Sequence, residues 1–459
     1  MAILEWINGR VLGVLTPLAL CFSGVFFLVL LRAFPLLHPQ KTLLAIRGSG
    51  REETLRALRG LCMALSGTLG VGNIAGVALA IGLGGAGSVF WMWISAALAM
   101  FLKYAEIVLA LVFRGKEASG AMAYMKVAFG KRVGGIMAGA FGALCLLSAL
   151  LLGSMLQANA IAECAKGMLH IPPLLTGIIL CLFAAPVIVG GAKSISRVTS
   201  WLIPLLTLGY FLLSLFIVLA NASALPSVFA RIFRSAFSPA AASGGILGFL
   251  CSEGVRYGVA RGLLSNEAGC GTAPLAHAEA KTSPVGQGVL GMVEVFVDTM
   301  VLCTVTAVVI LLAFEELPLS FGGGILAIMA YGKMAGSWAS YFVGISLILF
   351  AYGTVICWAY YGERSALYLS GGKEGAKRGY FALFCLLLLL GCLFSSSFVW
   401  GLTDSLLSLM TLLNVSALLR LSPTVFRTTQ GAGIWKTGKK REKNIVKSTK
   451  KPFCRKKYL

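Results

Sequence analysis

The chain has 459 residues, 58% of them apolar and only 12% charged, against roughly 25% charged in an ordinary soluble protein. Repeated apolar runs about twenty residues long, joined by short charged loops, and a mean hydropathy of +0.88 predict a polytopic helical membrane protein and exclude an ordinary soluble fold. Of the net charge of +22, a large share sits between Lys436 and Lys457, where eleven Lys/Arg face one acid, Glu442; such a segment suits an anionic membrane surface better than a nucleic acid.

Eleven spans are predicted, at about 11–34, 61–83, 87–112, 134–162, 172–191, 200–222, 243–264, 286–313, 340–362, 379–398 and 403–420. The first lacks a small-residue cleavage site and reads as a retained helix rather than a signal peptide. Basic residues recur on one side: Lys41, Arg47, Arg51, Arg56 and Arg59, then Arg114, Lys116, Lys126, Lys131 and Arg132, then Lys193 and Arg197, then Arg364, Lys373, Lys377 and Arg378. The positive-inside rule then puts the N-terminus outside and the C-terminus in the cytoplasm. Arg231 and Arg234, in the expected extracellular loop 223–242, run against it.

Span two holds "SGTLGVGNIAG", with Ser66, Gly67, Thr68, Gly70, Gly72, Asn73 and Gly76. So many helix-weakening residues predict an unwound stretch whose carbonyls suit a cation and whose N–H groups suit a carboxylate. Close helix packing by small residues is the alternative for any one of these glycines. Span four contains Gln157 and Asn159, two apart and so on different faces, one for a cavity and one for a neighbouring helix. Span seven is broken by Gly244, Gly245 and Gly248, with Glu253 and Arg256 beyond, which can pair at i,i+3. Spans two and seven each open a block of five helices, and five is odd, so the two blocks lie with opposite topology. The domains expected are an extra helix and loop 1–60, a first repeat 61–222, the loop 223–242, a second repeat 243–420 and a basic cytoplasmic tail 421–459.

The segment from Arg261 to Thr282 reads as a cytoplasmic gate or hinge, with Ser265 as a cap and Arg261 and Glu267 as ion-pair candidates. Span eight carries Glu294 and Asp298 on one face, and span three carries Lys103 and Glu106, which can pair locally; intramembrane acids are functional by default, as gates, scaffold pairs or proton carriers. On span nine Thr354 and Trp358 share a face, the one suited to a small cation and the other to a pocket wall; back-bonding and an aromatic belt are the alternatives. The twelve cysteines are scattered as small hydrophobes, and His38, His170 and His277 are too few and too far apart for a histidine-rich metal or haem site. No nucleotide-binding loop and no catalytic constellation is present, so the expectation is a transporter rather than an enzyme, with no ATP, nucleic acid or cofactor.

The stretches "ALSGTLGVGNIAGVALAIGLGGAGSVFWMWISA", "KYAE", "SMLQANAI", "YGVARGLLSNEAGCGTAPLAHAEAKT", "GMVEVFVDT" and "WAYYGER" resemble the alanine or glycine:cation symporter family, also called sodium:alanine symporters. The resemblance implies an all-α integral membrane protein with a five-plus-five inverted-repeat (LeuT-like) core in the bacterial or archaeal inner membrane. It implies import of alanine, glycine or serine with Na⁺, H⁺ being the alternative ion. By the same resemblance Thr68, Gly70, Gly72, Asn73, Gln157, Gly245 and Trp358 hold substrate. Thr354 belongs to the cation site by the resemblance, with Gly67, Gly70 and Gly353 expected around it, while Glu106, Arg261, Glu267, Glu294 and Asp298 are expected from their places in the sequence to form gating or structural pairs. The family commonly has GTGN where this chain has GVGN, so Val71 lacks a hydroxyl. Gly353 likewise stands where a hydroxyl residue is common, and Glu279 replaces a small one.

Overall fold

The computed structural model describes residues 11–37, 40, 51–115, 119–237, 253–278, 280, 282–316, 323–394 and 397–432. Every regular element among them is helical, as lipid demands of a chain that must satisfy its own backbone. The helix α1 (Gly13–Leu30) buries Leu20 and Phe27 while turning Phe22 and Val29 outward. A helix apolar on all sides finds protein on one face and lipid on the other.

The next span is bent. Its lower half, α2 (Arg51–Thr68), begins ten residues before the predicted run because the charged stretch from Arg51 to Arg59 forms its first turns. A wide turn at Gly72–Gly76 leads to α3 (Val77–Gly84), and the two halves differ in direction by 53°. The helix α4 (Ser88–Val112) runs about 37 Å at 1.5 Å per residue and packs against α1 and two later helices. It is buried on all sides from Phe101 to Ala110, so Lys103 and Glu106 are carried into the protein interior.

After a short α5 (Ala121–Ala128), α6 (Lys131–Ser148) passes through wide turns at Ala149–Leu156 into α7 (Gln157–Leu169). The helices α8 (Pro173–Val189) and α9 (Gly191–Ala220) lie at the periphery, with Leu182, Phe183, Val189 and Trp201 facing outward. Lys193 and Arg197, expected in a loop, belong to the first turns of α9. Part of the expected loop 223–242 is also helical, as α10 (Leu225–Ala236), whose Arg231 holds the carbonyls of Leu311, Phe314 and Glu315 at 3.0, 3.2 and 2.9 Å.

A second break separates α11 (Glu253–Asn266) from α12 (Ala273–Ala278). Then α13 (Pro284–Val295), wide turns at Phe296–Cys303 and α14 (Thr304–Ala313) form one long span. The 13-residue α15 (Gly323–Ala335) was not expected; it is too short to read as a span and packs on the Gly72–Gly76 turn. The chain continues through α16 (Ser337–Leu369), α17 (Glu374–Leu393), α18 (Ser397–Arg420) and α19 (Ser422–Gly431). The last occupies the start of the expected tail, and its Thr429 hydroxyl bonds Tyr104 at 2.8 Å.

Among the described residues eight helices are long and apolar enough to cross a bilayer, nine when the bent pair counts as one span, and α8 and α15 are shorter apolar helices. This is fewer than eleven because α8 falls short in length and the seventh expected span is described only from Glu253. Gly244, Gly245, Gly248 and Glu279 lie outside the described residues, as does the basic run Lys436–Lys457.

Candidate functional site

The two helix breaks face each other. A Cβ on Gly72 would lie 3.1 Å from the Ser265 Cα, so glycine lets the first break approach the end of α11. A Cβ on Gly70 would overlap the Thr354 hydroxyl and lie 3.1 Å from Gln157 Oε1. Glycine there admits α16 and α7 against bare backbone. Gly67 faces Tyr361 and Cys357, and Gly353 faces Ser66, both as close helix packing.

Around the first break, the Thr354 Oγ1 lies 3.0 Å from the Ser66 carbonyl, 3.3 Å from that of Leu69 and 3.3 Å from that of Phe350. A hydroxyl has one proton and satisfies one of these acceptors at a time. The remaining oxygens form a cluster with the hard-ligand chemistry of a small cation. The Ser66 hydroxyl beside it has no hydrogen-bond partner among the described residues. The Gln157 Oε1 accepts the Val71 N–H at 3.4 Å, while Asn159 donates to the Phe394 carbonyl at 2.7 Å. Thr68 bonds back to Leu65 at 3.3 Å.

Asn73 is bound to Asp298, its Nδ2 donating to Oδ1 at 2.7 Å and to the backbone carbonyl at 3.1 Å. The other Asp298 oxygen accepts from Ser265 and Thr299, both at 2.7 Å. One carboxylate thus ties the first break, the second break and the wide turns of the long span, fully buried. The Asn73 Oδ1 has no hydrogen-bond partner among the described residues. Ser265 lies within α11 and does not cap a new helix.

Lys103 does not pair with Glu106. Its ammonium meets Glu294 at 3.0 Å and the Asn266 carbonyl at 2.7 Å. Glu294 continues to His277 at 3.0 Å, and His277 to Gln287 at 2.7 Å. Glu106 accepts the Gly271 N–H at 3.0 Å and the Asn414 amide of α18. Glu267 accepts from Trp358 Nε1 at 2.8 Å and Thr272 at 2.7 Å. Arg261 pairs with Asp404 of α18 through two bonds, 3.2 and 2.8 Å, and stacks on Trp400 at 4.8 Å. Arg256 lies over the Tyr257 ring.

Two cavities meet at the first break. The inner one has room for about one water and is lined by Gly67, Thr68, Gly70, Gly72, Gln157, Glu267 and Thr354, among others. The outer one, about 340 Å³, is lined by Leu79, Asn159, Glu163, Arg261 and Gly323, among others. Val71, Leu156 and Trp400 border both and form the partition between them. Asn73, Trp358, Gly353, Glu106, Glu294 and Asp298 line neither cavity. Trp400, Asp404 and Asn414 were missed in the sequence; Asp404 carried a signal, an acid inside an otherwise apolar span.

No group of three or more His, Cys, Asp or Glu able to hold a metal ion occurs among the described residues. The structure resembles the crystal structure of MhsT in complex with L-phenylalanine, with a TM-score of 0.54 at 15% identity, covering 88% of this chain and 96% of that one. The two share a fold: an all-α, multi-span membrane architecture. In sequence, the chain is 36% identical over 448 residues to the sodium/alanine symporter AgcS of Methanococcus maripaludis, covering 94% of this chain and 96% of AgcS. It is 33% identical over 386 residues to the probable sodium/glutamine symporter GlnT of Bacillus subtilis, covering 82% and 78%. The profile of the sodium:alanine symporter family matches residues 1–448. The chain belongs to the sodium:alanine symporter family, and is thus a Na⁺-coupled symporter of a small amino acid rather than an enzyme.

Proposed function

We propose that the protein imports alanine, glycine or serine with Na⁺ by alternating access around the paired helix breaks. The observation that carries this reading is the cluster of Thr354 Oγ1 with the Ser66 and Leu69 carbonyls, adjoining a cavity lined by Gly70, Gly72 and Gln157. In it, Na⁺ sits among those oxygens, with Gly67 and Gly353 allowing the close approach of α2 and α16. The substrate carboxylate meets the N–H groups freed near Gly70 and Gly72, with Thr68 and Gln157 beside it. A cation that orders the break completes the amino-acid pocket, so the two ligands share a coupling free energy. Asn73, whose Oδ1 is unpartnered, belongs with Asp298 to a second oxygen-rich position next to the break.

In this reading the chain crosses the membrane eleven times, with its N-terminus outside and its C-terminus in the cytoplasm. The blocks 61–222 and 243–420 are inverted repeats, each opening on a broken helix. The position of Gly245 in the second block gives it a place in the substrate site. Arg261, paired with Asp404, braces Trp400 in the partition, while Glu106, Glu294 and Asp298 are structural or gating pairs. Uptake into proteoliposomes under a Na⁺ gradient, without a pH gradient, tests the whole scheme. Na⁺-driven accumulation of alanine, glycine or serine is expected. Accumulation driven only by a pH gradient would move the coupling to H⁺ and to the buried carboxylates, and no accumulation of any of the three would overturn the scheme.

A further inference from the structure

The turn between α11 and α12 holds a carboxylate that no ion pair explains. Glu267 is 2% exposed, and its φ of 51° is a left-handed conformation that side chains seldom adopt. Each of its oxygens has one donor, Trp358 Nε1 on one and Thr272 Oγ1 on the other, and each retains a free lone pair. No salt bridge to it forms among the described residues: Lys103 acts on it electrostatically from a distance, its ammonium being in contact with Glu294 and the Asn266 carbonyl. A buried carboxylate is costly unless a charge faces it. Glu267 also lines the inner cavity, with Gly70, Gly72 and Gln157.

We propose that Glu267 is the residue that recognises the substrate's ammonium group. The proposal rests on the reading of the inner cavity as an amino-acid site. A zwitterion then bridges the two breaks once they part to enlarge the cavity, which in this conformation has room for about one water, its carboxylate on the N–H groups of the first break and its ammonium on Glu267 of the second. Both breaks contribute one charge-recognising element, which makes binding conditional on their being brought together. Trp358, which lines neither cavity, acts through Glu267: its indole N–H fixes one carboxylate oxygen and leaves the free lone pairs for the ligand. Acids without an amine are rejected, since their only charge repels Glu267.

Isothermal titration of the full-length protein in Na⁺ with L-alanine and L-lactate, which carries a hydroxyl in place of the amine, tests this. The wild type is expected to prefer alanine by roughly 100-fold or more, and Glu267→Gln to weaken alanine by a similar factor while lactate is unchanged or tighter. Equal weakening of both ligands would make Glu267 structural and overturn the proposal. So would loss of Na⁺ binding, titrated without amino acid, with the alanine-to-lactate ratio intact. If Glu267→Gln does not fold, Glu267→Asp, which keeps the charge and withdraws it from the cavity, is titrated instead: a fall in the alanine-to-lactate ratio is expected, and an unchanged ratio overturns the proposal. A wild type that binds none of alanine, glycine and serine in Na⁺ is a different outcome, and it removes the functional reading together with this one.

Discussion

At Thr354 a single hydroxyl sits among three carbonyl oxygens, which is more acceptors than one proton can serve. In the proposed site a cation shares these oxygens, beside the close approach of Gly70 to the Thr354 hydroxyl. Thr354→Val keeps the volume and removes the oxygen. The half-saturating Na⁺ concentration for uptake is expected to rise by about tenfold or more, with a small change in thermal stability. An unchanged Na⁺ dependence would take Thr354 out of the cation site. Val71 lacks the hydroxyl common in the family, yet its backbone N–H is held by Gln157. What the break uses at position 71 in this conformation is main chain, and main chain is indifferent to that replacement.

The breaks work as elements because helices outside them hold their ends. Lys103 of α4 binds the Asn266 carbonyl at the end of α11 and pairs with Glu294 of α13, so one side chain fixes three helices in register. Removing one partner of a buried pair leaves the other charge uncompensated. Lys103→Met is therefore expected to destabilise the protein by about 3–5 kcal/mol, read as a lower unfolding temperature in detergent. Adding Glu294→Gln removes the stranded charge and should restore a good part of the loss. A double variant no more stable than Lys103→Met would show that the Asn266 carbonyl is the contact that matters.

Across the whole molecule, the Arg261–Asp404 pair joins α11, which leads into the second break, to α18 and braces Trp400. Arg261→Ala and Asp404→Ala are each expected to lower kcat/KM for uptake, and the double variant to be little worse than either, because they disable one device. Strict additivity would separate the two residues. The sequence made the first break legible, since glycine and asparagine announce themselves in an apolar run, and Gln157 and Thr354 stood out for the same reason. The pairing of Arg261 with Asp404 did not, because 143 residues separate them and spacing says nothing about partners so distant. Lys103 and Glu106 misled by suggesting a local pair: both are on a buried helix, where each turns to a different neighbour. Nor did α15 show, being short and lying between longer apolar runs.

In the proposed transport scheme the partition of Val71, Leu156 and Trp400 would also be an electrical boundary. The outer cavity, at about 340 Å³, holds on the order of ten waters, a medium that polarises readily and supports little field. With the cavity open to the outside, as the proposed topology has it, the membrane potential would fall over the drier protein beyond this partition. A cation crossing it moves through a large share of the voltage, worth about 2.3 kcal/mol per charge for each 100 mV across the full membrane. In the proposed scheme these three side chains are the insulation through which the cell's voltage, and not the concentration gradient alone, would drive loading of the site.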